Sequence, residues 1–324
     1  MTRPARPDAL PTVSVVIAAR ARPRPLAACL RAVRAQSRPP LRVAVVESGA
    51  PDPAIAAVAA EAGAAYLHEP EGGESRARNL GARSVPGEVV AFTDDDALPE
   101  PGWLAALAAE FRRPEVAAAA GRVVPPPGPL DEEARRIAGW LGLASSGGER
   151  PLRIGAGDPH WFEIANFGGI GIGPNMAFRR SVFDEWGGFD TRLGTGTPLR
   201  GGAEPYAFFT LLKRGHAVTY TPAARVAHPH PLPSLEVLRE RQRHAFAAAT
   251  AYIAFLALAE PAHRRDALRY LAEGMAGRGR VWRDAPATPS PSPPPRHVRL
   301  REYLRGVAIG IRAGSAAPDG TLAS

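Results

Sequence analysis

Three consecutive aspartates, Asp94, Asp95 and Asp96, have the clearest capacity for chemistry in this sequence. They follow a β-branched and aromatic run at residues 88–93 that predicts a buried strand. Side chains two residues apart on an extended segment point to the same side, so Asp94 and Asp96 can face one ligand. Carboxylate oxygens suit Mg²⁺ or Mn²⁺, and such an ion usually completes its shell with substrate phosphates. The triplet predicts a metal and phosphate site, with an ordinary acidic loop as the alternative.

Two further residue types could serve the same ligand. His228 follows a strand-like run at residues 225–227, and a neutral imidazole can bind a metal or contact a phosphate. His230 lies two residues later, and a surface histidine pair is the alternative for both. Arg78 carries a planar fork that pairs well with phosphate, although a solvated helix arginine would look the same in sequence.

Alternating strand and helix patterns supply the elements that must position these residues. Buried strands are predicted at residues 13–17, 41–46, 65–68 and 88–93, with amphipathic helices between them. This alternation indicates an α/β fold with a mostly parallel, Rossmann-like sheet flanked by helices. Ligands of such sheets bind beyond the carboxyl ends of the strands, which is where the aspartates lie.

The chain after this region has a different composition. Residues 235–259 and 264–275 are predicted to be helical, residues 285–296 are rich in proline, and residues 297–313 are basic and amphipathic. The predicted organisation is a flexible N-terminus at 1–11, a main domain at 12–232, a helical extension at 233–284, a Pro-rich linker at 285–296 and an amphipathic segment at 297–324. The last segment is expected to dock on the main domain or on an anionic bilayer.

Composition narrows the class of protein. The formal charge is +8 and comes from arginine, because Lys213 is the only lysine. A nucleic-acid binder is the least favoured class, because no recognised motif accompanies the charge, and no nucleic-acid partner is expected.

A single cysteine, Cys29, excludes a disulfide framework and a thiolate zinc site within one chain. The polar N-terminus predicts no secretory signal, so the expected location is the cytoplasm, with membrane-peripheral attachment as the alternative.

Several motifs occur together and in order. They read VSVVIAAR at 13–20, VVESG at 45–49, ESRARNLGAR at 74–83, GEVVAFTDDD at 87–96, PEPGWL at 99–104, GPNMAFRR at 173–180 and GGFD at 187–190. The combination resembles family 2 of the inverting glycosyltransferases over residues 13–230. The resemblance implies a GT-A fold and metal-assisted transfer of a sugar, with inversion, from a nucleoside-diphosphate sugar to an acceptor hydroxyl. Mn²⁺ or Mg²⁺ is the implied cofactor, and a glycan, lipid-linked or small-molecule acceptor within cell-envelope glycan biosynthesis is the implied partner.

The resemblance also implies roles for individual residues. Asp96, Asp94 and His228 would hold the metal, and Glu47 would hold the base or ribose from a position where the family usually has Asp. The other residues expected to bind the nucleotide sugar are Ala18, Arg20, Arg78, Asn79, Asp94, Asp95 and Asn175.

One position departs from the family pattern. After Gly201 and Gly202 the family commonly has Glu-Asp, with the Asp as general base, but this chain has Glu204 followed by Pro205. Proline cannot accept a proton, so Glu204 is the candidate base. A degenerate nucleotide-sugar-binding protein on the same fold is an alternative. A nucleotidyltransferase is another, although no Gly-rich phosphate loop follows the first strand.

Three aromatic residues precede the GPNMAFRR motif. Trp161, Phe162 and Phe167 could form an acceptor lip, because aromatic faces stack on sugar rings, or they could pack in the core.

Overall fold

A single mixed sheet organises the chain in the computed structural model, which describes residues 10–124, 148–167, 170–228, 234–275 and 296–316. Its nine strands within these ranges lie in the order β3-β2-β1-β4-β8-β6-β9-β5, with β7 paired to β9. Six of them, β1 to β4, β6 and β9, run in one direction, as their pairings show. The strands are β1 Val13–Ala19, β2 Val43–Ser48, β3 Ala65–Glu69, β4 Val89–Asp94, β5 Leu98–Pro99, β6 Val116–Val124, β7 Leu152–Ile154, β8 Met176–Arg179 and β9 Ala217–Ala227.

Helices cover both faces of the sheet, and a hydrophobic core lies under each layer. One core packs α1, α2 and α4 on the sheet, and the other packs α3 with the helices from α5 onward. The predicted α/β architecture, with a helical C-terminal region, is confirmed. The helices are α1 Pro23–Arg34, α2 Pro53–Glu61, α3 Glu74–Ser84, α4 Trp103–Glu110, α5 Trp161–Phe167, α6 Val182–Trp186, α7 Ala203–Lys213, α8 Leu235–Ala259, α9 Arg264–Met275 and α10 Arg296–Ser315.

Local signals in the sequence account for the first βαβ units. The side chains of α1 that recur at helical spacing, Leu26, Cys29, Leu30 and Val33, are all buried. Asp52 caps α2, and its carboxylate accepts a 2.9 Å bond from the amide of Ala54. The second strand begins later than predicted, at Val43, and Leu41 is half exposed because it lies in the turn before the strand.

Strand register brings the candidate residues to one edge of the sheet. Ala18 of β1 is paired with Asp94 of β4 on one side and with Val46 of β2 on the other. Ala19 is paired with Glu47. The parallel strands β1, β2 and β4 therefore end together, and their carboxyl ends form a shared edge.

The C-terminal helices extend the second core. The predicted helix at 235–259 is confirmed as α8, and its apolar second half is buried. The helix predicted at 264–275 is confirmed as α9. Within the described ranges no single helix has the length and apolar character to cross a membrane, while α8 followed by residues 261–273 passes that test as a pair bent by 115°. Residues 1–9, His230 and residues 285–295 of the Pro-rich linker lie outside the described residues.

Candidate functional site

Asp94 ends β4, and Asp95 and Asp96 lie in a turn that is closed by a 3.1 Å bond from the amide of Ala97 to the carbonyl of Asp94. This turn, and not the alternation of an extended segment, brings Asp94 and Asp96 to one place. His228 follows β9 and reaches the same place, and its Nε2 lies 3.1 Å from Oδ1 of Asp96. One ligand atom from each of Asp94, Asp96 and His228 lies within 4.8 Å of the others. Ligands on one ion with bonds of about 2.1 Å lie at most about 4.2 Å apart, so small side-chain adjustments would let the three share a cation.

The electrostatics of this group suit a cation. Burial, together with the carboxylates of Glu74 and Glu204, raises the pKa of Asp94 to about 7, although Arg78 and His228 oppose the shift. Negative charge is therefore crowded around Asp94, which a divalent ion would relieve. Burial, with a smaller contribution from Arg22, lowers the pKa of His228, although Asp94 and Asp95 oppose that shift. Burial thus favours the neutral imidazole, which is the form that binds metals.

Asp95 anchors the loop after β1. It is fully buried, and its Oδ2 accepts a 3.0 Å bond from the backbone amide of Arg20. The guanidinium of Arg22 lies 2.5 Å from Oδ1 of Asp95 and also pairs with Oδ2 of Asp96. This bridge ties the loop that follows β1 to the end of β4.

Arg78 is surrounded by three carboxylates, those of Glu74, Asp94 and Glu204, which together form the acidic cluster. Its side chain is only 1% exposed, and its Nη1 donates a 3.0 Å bond to Oε1 of Glu204. Its Nη2 pairs with Glu74 one helical turn earlier and lies 3.7 Å from Oδ1 of Asp94. Burial alone would lower the pKa of Arg78, but the three carboxylates raise it well above its usual range, so the residue stays charged.

Glu204 lies in the first turn of α7, where Gly202 precedes the helix in a left-handed conformation and Pro205 follows. Its side chain is 18% exposed, and the carboxylate accepts the bond from Arg78. Gly173 packs against this ion pair so closely that an added Cβ would overlap Nη2 of Arg78 and lie 2.8 Å from Oε1 of Glu204. The structure thus brings Glu204 to the same cluster as Asp94, on the other side of one guanidinium.

Several predicted donor-binding residues have internal partners. Glu47 is fully buried and accepts bonds from the amide of Asp52, at 2.9 Å, and from the hydroxyl of Tyr66, at 2.6 Å. The carboxamide of Asn79 donates to the carbonyl of Phe189 and accepts from its amide, both at 2.8 Å. These contacts hold loops around the site.

Asn175 is also internal. Its Oδ1 accepts a 2.8 Å bond from the indole of Trp103, and its Nδ2 donates to the carbonyls of Arg122 and Ala224, both at 2.9 Å. It joins α4 to β6 and β9 beneath the edge of the sheet. By contrast, Ala18 is partly exposed and the side chain of Arg20 is exposed, so both remain open to a ligand.

Two residues of the site were not predicted, namely Arg22 and Glu74. Arg22 lies between Arg20 and Arg24 in a basic stretch at the start of α1, but the sequence does not indicate which acid it contacts. Glu74 stands four residues before Arg78, a spacing that could have indicated their ion pair.

The aromatic residues before the GPNMAFRR motif pack on the hydrophobic core, with Phe162 inside it and Trp161 and Phe167 at its partly buried margin. The ring of Trp161 stacks on Phe209 at 5.7 Å, and Phe162 is buried beside Phe209 and His263. Phe167 stacks on Tyr270 of α9. The core alternative is therefore correct for this cluster.

Comparison with known protein families gives one extended match. The family model described as "Glycosyl transferase family 2" matches residues 14–187, which is more than half of the chain. The matched region contains β1 to β4 and the aspartate triplet, whereas Glu204 and His228 lie beyond it.

Curated relatives share sequence with part of the chain. A "Pre-mycofactocin glycosyltransferase" of Mycobacterium tuberculosis is 31% identical over 195 residues, which cover 59% of this chain and 38% of that protein. A "Glucosyl-dolichyl phosphate glucuronosyltransferase" of Haloferax volcanii is 32% identical over 171 residues, or 50% of each chain. The chain thus spans half or less of the length of these relatives.

Solved structures show the same architecture. The mannosyltransferase PcManGT from Pyrobaculum calidifontis, solved in complex with GDP-Man and Mn²⁺, is similar with a TM-score of 0.53 and 20% identity over 95% of this chain and 87% of that chain. Residues 1-349 of S. aureus TarS give a TM-score of 0.54 and 14% identity over 91% and 81% of the two chains. At these identities the likeness shows the fold, and the expected GT-A architecture is confirmed.

Proposed function

The chain belongs to glycosyl transferase family 2, and on that basis we propose that it moves a sugar from a nucleoside-diphosphate sugar to an acceptor hydroxyl, with inversion. The convergence of Asp94, Asp96 and His228 beside the Arg78–Glu204 ion pair carries this proposal. It unites a cation site with a carboxylate at the carboxyl edge of the parallel strands. Family membership favours sugar transfer over the nucleotidyl transfer considered from the sequence.

Asp94, Asp96 and His228 would hold Mn²⁺ or Mg²⁺. Two carboxylates and one neutral imidazole suit such an ion, and these three ligands leave other coordination positions for phosphate oxygens and water. When bound, the ion would neutralise the charge that develops on the leaving diphosphate. The binding of both GDP-Man and Mn²⁺ by the structurally similar PcManGT is consistent with this assignment.

The donor nucleotide would lie along the edge formed by the ends of β1 and β4. The backbone from Ala18 to Arg20 borders this edge, and the bond that the amide of Arg20 donates to Asp95 holds it in place. We assign Glu47, Asn79 and Asn175 to positioning this edge, because their polar atoms already bind neighbouring segments. Arg78 would act through Glu204 and Asp94, since it is buried between them.

Glu204 would accept the proton of the acceptor hydroxyl. In that step the hydroxyl oxygen bonds to the anomeric carbon, its proton passes to the Glu204 carboxylate, and the bond to the diphosphate breaks with its electron pair. The bond from Arg78 fixes the direction of the carboxylate. Attack opposite the departing diphosphate gives the inverted product.

A binding protein without transferase activity is the second candidate, and Pro205 favours it. The family commonly has an aspartate at this position, whereas proline offers no proton acceptor. The two candidates share the metal and donor sites and differ only in the need for Glu204.

Donor binding can be tested by thermal unfolding of the chain with a panel of nucleoside diphosphates and their sugars, with Mn²⁺ or with EDTA. A ligand that binds only the folded state raises the melting temperature. We expect a rise that needs both a nucleotide and the metal. A panel in which no nucleotide shifts the melting temperature, with or without metal, would exclude the proposed donor site.

A further inference from the structure

Helix α10 packs on α8 through its smallest residues. Gly306, Gly310 and Gly314 recur at intervals of four and form one face of the helix. An added Cβ at Gly306 or Gly310 would overlap the backbone carbonyls of Ala247 and Ala251, and one at Gly314 would lie 2.9 Å from Cβ of Leu258. The glycines allow this close approach between the helices, while several aliphatic side chains of α10 remain exposed.

The outer face of α10 alternates aliphatic and basic residues. Leu300, Leu304 and Ile311 are 51%, 64% and 48% exposed. Each is followed directly by an exposed arginine, at positions 301, 305 and 312. At 1.5 Å per residue this stripe, from Leu300 to Arg312, is about 18 Å long.

The charge on this face has one sign. Helix α10 contains five arginines and one glutamate, Glu302, and that glutamate is not among the exposed residues of the helix. Its Oε2 lies 3.8 Å from Nη1 of Arg305. Exposed aliphatic side chains with flanking arginines and no exposed acid are complementary to a surface that has an anionic outer layer over an apolar interior.

We propose that the outer face of α10 docks the protein on an anionic lipid bilayer. The aliphatic side chains would enter the boundary between headgroups and acyl chains, and the arginine stems would extend along them so that the guanidinium groups reach lipid phosphates. The affinity for the bilayer would depend on the lipid charge, because each arginine near an acidic surface raises the binding constant of a protein for the membrane about fivefold.

The loop before α7 connects this face to the proposed active site. The amide of Thr195 donates a 3.2 Å bond to Oε2 of Glu74, which pairs with Arg78. Further along the same loop, Leu199 and Arg200 line a small cavity with Arg305 and Ile309 of α10. Docking would therefore place the acidic cluster near the bilayer. Resting on the proposed function, the inferred acceptor is a hydroxyl held at the membrane, as in a lipid-linked acceptor.

Vesicle sedimentation tests the docking without any need for catalysis. The full chain is mixed with vesicles of phosphatidylcholine alone or with phosphatidylglycerol added, and the triple variant R301Q/R305Q/R312Q is compared with R31Q/R34Q/R42Q. The control removes the same charge from exposed arginines around α1, on the opposite face of the sheet. We expect binding to acidic vesicles to fall about 100-fold for the first variant and to remain within about threefold for the second.

A second variant addresses the aliphatic side chains. L300S/L304S/I311S should also lose vesicle binding and should keep the melting temperature of the parent, because the three positions are exposed. Equal vesicle binding by the α10 arginine variant and its control would overturn the proposal. Concentration-dependent dimers that the serine variant abolishes, without vesicle binding by the parent, would assign the face to a second copy instead. A chain that binds vesicles but shows no sugar transfer would contradict only the proposed function and its acceptor.

Discussion

Arg78 donates a 3.0 Å hydrogen bond from Nη1 to Oε1 of Glu204, across 126 residues of sequence. This bond joins α3 to the first turn of α7, and Asp94 at the end of β4 lies against the same guanidinium. One buried cation thus orients the candidate base and neutralises acids at the candidate metal site. The two parts of the proposed mechanism consequently share one structural support.

Removal of Arg78 should destabilise the fold. Arg78→Met leaves Glu74, Glu204 and Asp94 without their common counter-charge in a buried position, which typically costs about 3–5 kcal/mol. Urea unfolding measures the change. Arg76→Met is the matched control on the same helix, because Arg76 pairs with the exposed Glu71 and its loss should cost about 1 kcal/mol or less. Equal losses of unfolding free energy in the two variants would contradict the role of Arg78 as the shared counter-charge of the three carboxylates.

Replacement of Glu204 should remove transfer without removing donor binding. Glu204→Gln can still accept the bond from Arg78 but cannot accept a proton, so the rate of transfer should fall about 10²–10⁴-fold. The readout is product formation beside nucleotide affinity measured by thermal shift. If Glu204→Gln has no effect while Pro205→Asp creates activity from none, the chain is a binding protein and the base assignment is wrong.

The sequence predicted the parts of the site that depend on local patterns. Strand periodicity placed Asp94 and Asp96 at a strand end, and the run after β9 placed His228 beyond a second strand. Local spacing could not show that Arg22 bridges Asp95 and Asp96, because a basic loop does not specify which acid it contacts.

Contacts between distant segments could not be predicted from the sequence either. Glu47, Asn79 and Asn175 were predicted to bind the donor on the basis of motif position alone. Their side chains are bonded to Tyr66, Phe189 and Trp103, which come from elements that only the fold brings together. The aliphatic pattern of α10 likewise predicted an apolar face, but close packing of its glycines on α8 leaves part of that face exposed.

Metal dependence should follow Asp96. Asp96→Ala removes a carboxylate that faces both His228 and the candidate ion, so nucleoside diphosphate binding should no longer respond to Mn²⁺. The thermal shift produced by nucleotide with Mn²⁺ or with EDTA tests this. Asp184→Asn, an exposed change in α6, should retain the full response. Undiminished Mn²⁺ dependence in Asp96→Ala would remove this residue from the metal site.

Loss of Arg22 should strengthen binding of the metal alone. The guanidinium of Arg22 pairs with Oδ2 of Asp96 and so competes with a divalent cation for the same carboxylate. Because the Arg22 side chain is 46% exposed and partly screened by water, we expect Arg22→Ala to raise Mn²⁺ affinity only about threefold to tenfold. Titration calorimetry without nucleotide measures this affinity. Arg24→Ala, an exposed change in the same region, is the control, and weaker Mn²⁺ binding by Arg22→Ala would show that Arg22 supports the metal site.

The stability of the chain should carry a pH dependence that originates at Cys29. Burial, together with the negative charges of Asp95 and Asp94, raises the pKa of the Cys29 thiol far above its usual range. The thiol therefore stays protonated in the folded state, whereas in the unfolded chain it ionises above about pH 8.5. A folded-state pKa above the unfolded value gives stability that is complete below about pH 8.5 and is lost as the pH rises. The free energy of unfolding, relative to Cys29→Ala, should fall by about 1.4 kcal/mol for each further pH unit.

Urea unfolding of both proteins at several pH values gives this difference, which should be constant between pH 6 and 8. Parallel pH profiles, or rapid labelling of the native thiol at pH 8, would show that Cys29 is not held neutral by its surroundings.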